Sequence, residues 1–235
     1  MLYPLFLRLQ CKKCLIFGGG AVAFRKAKIL LKAGAKVTVV SLDFVEGLRK
    51  MARKNKRLCL DVIPRSGATR DLKLNARFLA CARNDSLLKG IALAFACTSS
   101  HEENLRFTKA CQKKGIWVNQ ADDLEKSDFL VPAGLNQGPL QIAISTSGLS
   151  PFLARNLKQR MKAVLKKEDA LFLSWMRNRR VRSRVIEALS TPSERRSFFQ
   201  TLAAPGFLQL FRSPKIARIE KVFERQLTNF QKKGT

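Results

Sequence analysis

The sequence predicts an α/β protein in which a parallel sheet is followed by a small β element and a helical C-terminal region. Three observations predict this. An apolar run near the N-terminus, Cys14-Leu-Ile-Phe17, leads directly into a glycine turn and a stretch of helical periodicity. Strand-like and helix-like segments then alternate as far as Asp123. From Ser150-Pro151 onward, each start signal in the chain is that of a helix.

The first strand is Cys14–Phe17, short and apolar on both faces. Gly18-Gly-Gly20-Ala-Val-Ala23 follows, and the next residues place Ala27, Leu30, Leu31 and Gly34 on one helix face. Strand, Gly-x-Gly-x-x-Ala and helix form the phosphate-binding turn of a Rossmann-like dinucleotide-binding domain. Gly18 permits the tight turn, Gly20 lets a pyrophosphate approach bare backbone, and Ala23 keeps helix and strand close. The helix start at Ala21 and Val22 offers N–H groups and a positive dipole end. Lys36-Val-Thr-Val-Val40 completes the βαβ unit, and Leu58–Ile63 reads as a third strand. Ser66 to Lys89 is polar and reads as a helix or an excursion of its own. Gly90–Cys97 is a buried strand ending in Thr98-Ser-Ser100, and Glu102–Lys114 is a helix stopped by Gly115. Ile116–Val118 is the next strand, with Asn119–Asp123 as its C-terminal loop. Ligands of open α/β sheets collect at strand C-termini, so Gly20, Ser41, Thr98 and Asp122 are expected to share one crevice.

Beyond Asp123 the rhythm changes. Phe129–Ala133 and Leu140–Ser145 read as two strands around an Asn136-Gln-Gly-Pro139 turn. Ser150-Pro151, the Thr191-Pro-Ser-Glu194 capping box and Ser213-Pro214 each open a helix. Val181, Val185, Ile186 and Leu189 form an apolar stripe expected to face a core. The expected division is residues 1–117 as dinucleotide-binding domain, 118–149 as small β domain and 150–235 as helical domain.

Length and composition fit a folded chain: 235 residues, 46% of them hydrophobic. No run has the length of a membrane span and no leader pattern opens the chain, so a cytoplasmic protein is expected. The charge is extreme, with 45 basic against 17 acidic residues and a net +28. It covers the whole chain, somewhat more densely in the C-terminal third: 20 basic and 6 acidic residues from Phe152 onward, 25 and 11 before it, so each part carries +14. Such a surface suits a nucleic acid or a polyanionic small molecule. The cysteines at 11, 14, 59, 81, 97 and 111 read as reduced packing residues, Cys11-x-x-Cys14 included. The single histidine, His101, reads as a surface residue at a helix start. With one His and no second Cys pair, no metal site is expected.

Several motifs occur in a fixed order: Leu2-Tyr-Pro-Leu-Phe-Leu7, Gly18-Gly-Gly-Ala-Val-Ala-x-Arg-Lys26, Val118-Asn-x-x-Asp-Asp123, Phe129-x-x-Pro132 and Ile144-Ser-Thr-Ser-Gly-Leu-Ser-Pro-Phe-Leu-Ala-Arg155. Together they resemble the precorrin-2 dehydrogenase/sirohydrochlorin ferrochelatase family, the N-terminal module of siroheme synthases, over roughly residues 1–165. The resemblance implies a Rossmann domain, a small dimerisation domain and a helical C-terminal domain. It implies NAD as cofactor, oxidation of precorrin-2 to sirohydrochlorin, and a homodimer. In some members it implies iron insertion as well, with ferrous iron as substrate.

The resemblance places the family's acidic catalytic residue at Asp122. Cofactor contacts would be Gly18, Gly20, Ala21, Val22, Ser41, Leu42, Asp43 and Thr98. Leu42 and Asp43 match the adenosine side, and no arginine follows them to hold a 2′-phosphate, which points to NAD. Ser145, Thr146, Ser147, Gly148 and Arg155 would line the tetrapyrrole side, and a substrate bearing eight carboxylates suits the basic surface. Thr98-Ser-Ser100 departs from the Thr-Asp-Asp that relatives often carry. A dinucleotide-sensing, nucleic-acid-binding regulator would explain +28 directly, but no helix-turn-helix pattern accompanies it, and nucleic acid is not the expected partner. A relative that kept the fold and only the chelatase activity is a third reading.

Overall fold

The computed structural model describes residues 2–62 and 85–234. Ile63 and most of the polar Ser66–Lys89 stretch lie outside the described residues. The chain divides into two compact units, Met1–Val131 and Pro132–Thr235.

In the first unit, β1 (Lys13–Phe17), α1 (Ala21–Lys32), β2 (Lys36–Ser41), α2 (Glu46–Lys54) and β3 (Leu58–Val62) come first. They are followed by α3 (Asp85–Leu88), β4 (Ile91–Ala96), α4 (His101–Gln112) and β5 (Trp117–Gln120). The strands form one parallel sheet in the order β3-β2-β1-β4-β5. Alternation along β1 explains its unbroken apolar sequence. Cys14 and Ile16 pack with Ala23, Ala27, Leu30 and Leu31 of α1 and Leu48 of α2. Leu15 and Phe17 pack on the other face with Phe107 and Cys111 of α4. A strand covered on both faces has no polar face to display.

Winding reverses between β1 and β4, which places a ligand crevice at the C-termini of these two strands. The edge strand β5 is closed by the chain that leaves it. The Asp128 carboxylate accepts from Val118 N at 2.7 Å, and the Ser127 hydroxyl accepts from Gln120 N at 2.9 Å. These contacts occupy backbone groups that would otherwise template a foreign strand.

The second unit opens with the antiparallel pair β6 (Ala133–Gln137) and β7 (Leu140–Ile144), turning at Gly138, whose φ is +57°. The first strand therefore starts later than the sequence suggests, and Phe129–Pro132 form no strand. Phe129 is drawn into the first unit instead. Its ring meets Phe95 edge-on at 5.5 Å and its carbonyl accepts from Asn119 Nδ2 at 2.9 Å.

Helices follow: α5 (Pro151–Val164), α6 (Lys167–Met176), α7 (Arg179–Ala188), α8 (Pro192–Leu202), α9 (Pro205–Leu208) and α10 (Ile216–Gly234). The Ser150 hydroxyl caps Leu153 N at 3.2 Å, and Thr191 with Glu194 closes the predicted capping box. Their core is aromatic: Phe198, Phe207, Phe211 and Phe223 are buried, with Trp175 packed against them. Val181, Val185 and Leu189 join it. Ile186 does not; it is 56% exposed, because three residues of an i, i+4, i+8 set already fill the buried face and Ile186 falls beyond it.

Candidate active site

The turn after β1 shows what each glycine is for. Gly18 has φ +113°, and a Cβ there would lie 2.5 Å from the Cys97 carbonyl oxygen. A Cβ on Gly19 would collide with the Asp43 carbonyl, while Val45 N donates to Gly19 O at 2.9 Å. Gly18 and Gly19 are thus fixed by the protein's own packing. Gly20 differs: nothing lies within 4 Å of where its Cβ would be. It is the N-cap of α1, no side chain caps that helix, and the first turn holds no acidic residue. Open space, first-turn N–H groups at Ala21 and Val22 that have no acceptor within the helix, and a helix dipole suit a pyrophosphate here.

Ser41, Leu42 and Asp43 leave β2 beside the same turn. Asp43 accepts from Phe44 N at 2.7 Å and pairs with Arg49 of α2, whose Nε also donates to Phe44 O at 3.1 Å. Sequence reading found no arginine following Asp43 to hold a 2′-phosphate; the arginine that the fold brings to this side is paired with the Asp43 carboxylate. Arg49 is six residues beyond Asp43, but α2 folds it back onto the carboxylate.

The β4 and β5 ends meet through Asn104, a fully buried residue on the inward face of α4. Its Oδ1 accepts from Thr98 N at 3.0 Å and from the Thr98 hydroxyl at 2.8 Å. Its Nδ2 donates to Thr98 O at 3.1 Å and to Asp122 Oδ1 at 2.9 Å. Thr98 is therefore committed to the loop it sits in. The other carboxylate oxygen, Asp122 Oδ2, lies 2.7 Å from His101 Nδ1. Partial burial pushes the Asp122 carboxyl up. Hydrogen bonds from His101, from backbone and from Asn104, with the nearby Gln120 amide, outweigh that and hold it below the usual aspartate value. Gln120 Nε2 is buried, close enough to Asp122 to act on its charge, and makes no hydrogen bond of normal geometry among the described residues.

Sequence reading placed Asp122 correctly at a strand end but missed both partners. His101 is at the surface as expected, with 59% of its side chain exposed, yet it is paired. Asn104 had a legible signal. It is one of two polar members, with Thr108, of the Asn104, Phe107, Thr108, Cys111 stripe on the buried face of α4.

Lys26 on α1 is buried too. Its amine donates to Asn119 Oδ1 at 2.5 Å and lies 4.9 Å from the Phe95 ring centroid. Burial lowers its pKa. Cys14 and Cys97 are pushed up to about 11 and Cys111 to about 12, in each case by burial.

The tetrapyrrole-side candidates belong to the second unit. Ser147, with φ +52°, and Gly148, with φ +83°, turn the chain between β7 and α5. The Ser145 hydroxyl accepts from Ser147 N at 3.1 Å, and the Thr146 hydroxyl donates to Ser150 O at 3.0 Å. These hydroxyls shape the turn. Arg155 is exposed and lies over the Phe152 ring, 5.2 Å from its centroid. Among the described residues no cluster of three or more His, Cys, Asp or Glu can hold a metal ion.

A doubly wound parallel sheet with an open glycine turn at its switch point defines a dinucleotide-binding protein. A family model described as "Putative NAD(P)-binding" matches residues 5–133, and the chain belongs to that NAD(P)-binding family. A second model, "Sirohaem biosynthesis protein central", matches residues 137–163. The chain is 30% identical to a siroheme synthase of Citrobacter koseri over 85% of its length and 39% of the relative's. It is 33% identical to one of Chromobacterium violaceum (69% and 31%) and 31% identical to siroheme synthase 1 of Aeromonas salmonicida (96% and 43%). The chain thus spans about two fifths or less of these relatives. Among solved structures, "SirC, precorrin-2 dehydrogenase" matches 97% of this chain and 100% of its own at TM-score 0.68 and 20% identity, a likeness of fold.

Proposed function

We propose that this protein oxidises precorrin-2 to sirohydrochlorin with NAD. One observation carries the reading: a carboxylate held ionised, Asp122, stands at the same strand-end edge as the open Gly20 turn. Bound NAD supplies the hydride acceptor. The protein's part is to seat the pyrophosphate on the Gly20–Val22 backbone, hold the ribose near Asp43, and fix the Asp122 carboxylate at the edge where a proton leaves with the hydride.

The carboxylate of Asp43 favours a ribose hydroxyl over a phosphate, so NAD is preferred to NADP even with Arg49 nearby, since Arg49 is already paired. In this reading Ser145–Gly148 and Arg155 serve the tetrapyrrole, and the surface of net +28 attracts its carboxylates. The chain works as a homodimer through β6 and β7, whose two strands cannot bury both faces alone. Iron insertion into the product is a further activity of the same protein, with ferrous iron as substrate. No described helix is long and apolar enough to cross a membrane, and we assign the reaction to the cytoplasm.

The test is anaerobic incubation of the purified protein with precorrin-2, with and without NAD. Sirohydrochlorin should appear only with NAD, and added ferrous iron should convert it further. A protein that binds NAD and leaves precorrin-2 unchanged would overturn the reading.

A further inference from the structure

We propose that the proton acceptor is His101, oriented by Asp122, so that the two form a catalytic pair rather than Asp122 acting alone. The proposal rests on the reading that this site oxidises precorrin-2. Asp122 Oδ2 takes His101 Nδ1 at 2.7 Å, which sets the tautomer with the proton on Nδ1. Nε2 is then a free base and makes no hydrogen bond among the described residues. The ring opens α4 at the end of β4 and is 59% exposed, whereas Asp122 is less exposed and both its oxygens are engaged. An aspartate held below its usual pKa is a poor proton acceptor and a good orienting partner for imidazole.

Asn104 fixes the pair from behind. It is fully buried, bonded three ways to Thr98, and donates to the Asp122 oxygen that His101 does not use. The carboxylate therefore cannot turn away from the ring without breaking a buried network. The other charged groups nearby are Glu102 and Glu103 on α4 and Asp123 along the loop. Cys97 at the β4 end is pushed up by burial and also by the Asp122 charge, while Lys26 and Arg25 pull it the other way. None of these bonds His101 among the described residues.

The step balances. Precorrin-2 loses one C–H bond as a hydride, with both its electrons, to NAD, and one proton to His101 Nε2. The products are sirohydrochlorin, NADH and a proton that imidazolium returns to water.

His101→Gln keeps a donor for Asp122 and removes the base. It should lower precorrin-2 turnover by about 10²-fold or more while leaving NAD affinity unchanged. The acid-side fall of the wild-type rate profile should vanish in the variant. Because the two residues act as one unit, His101→Gln with Asp122→Asn should be scarcely slower than either alone. A His101→Gln protein with wild-type rate and profile would overturn the proposal.

A second readout needs no substrate. His101 is the only histidine, so its imidazole NMR signals are unambiguous. They should report the Nδ1–H tautomer, and Asp122→Asn should change it. Signals indifferent to that substitution would dissolve the pair. If the pair is present but the wild type leaves precorrin-2 untouched, the functional reading falls, and with it the proton-transfer role.

Discussion

Two groups on α4 hold the Asp122 carboxylate, and they answer different needs. Asn104 anchors it in a buried network, and His101 meets it at the surface. Asp122 titrates below the ordinary aspartate value, so its contribution to stability is present at neutral pH and is lost only as pH falls through that lowered value. Asp122→Asn should accordingly be less acid-sensitive in thermal denaturation than wild type, while Asn104→Ala should destabilise at every pH, by about 1–3 kcal/mol, through unpaired buried groups. The glycine turn offers a cleaner contrast. Gly20→Asp should abolish NAD binding in calorimetry while leaving thermal stability intact, because only ligand space is filled. Unchanged affinity would remove the cofactor from this turn. The buried thiols give a third check: Cys14, Cys97 and Cys111 stay protonated near neutral pH. Alkylation of the folded protein read by mass spectrometry should label the exposed Cys11 and Cys59 and spare these three.

At the scale of elements, local signals were legible and long-range ones were not. β1 and α1 could be read because an apolar run, a glycine turn and a helical stripe are neighbours in sequence. α5 and α8 could be read from Ser150-Pro151 and from the Thr191–Glu194 box, which the structure forms as hydrogen bonds. The Phe129–Ala133 strand was misread because Phe129 is apolar for a reason outside its own segment, the contact with Phe95 across the sheet. Arg49 on Asp43 and Asn104 on Asp122 pair side chains that only the folded helices bring together. Gly19 was passed over because its need for bare backbone comes from Asp43, 24 positions away. Gly19→Ala should therefore destabilise, by about 1–3 kcal/mol, although it lies outside the Gly-x-Gly pattern. Thr191→Ala should cost about 1 kcal/mol by loss of its cap, in chemical denaturation, with NAD affinity unaltered.

For the whole molecule, charge and exposed apolar surface predict how it meets its partners. Leu149, Phe152, Leu153 and Val164 in the second unit are between 50% and 89% exposed, more apolar surface in one region than isolated solvent contacts explain. Sedimentation should find a dimer at micromolar concentration, and an active monomer would contradict a pairing role for this region. The net charge of +28 should make KM for a polycarboxylate rise with salt while kcat changes little. Steep, salt-sensitive nucleic-acid binding without turnover would favour the regulator instead.

The most direct test compares single-turnover oxidation of precorrin-2 by the wild type and by Asp122→Ala, each saturated with NAD. Asp122→Ala removes the charge and both acceptor oxygens at a strand-end loop that contributes little to the core. The wild type should form one NADH for each sirohydrochlorin. The variant should bind NAD as tightly and be slower by about 10²-fold or more. A folded, NAD-bound Asp122→Ala protein that oxidises precorrin-2 at close to the wild-type rate would contradict the assignment of this carboxylate to the reaction.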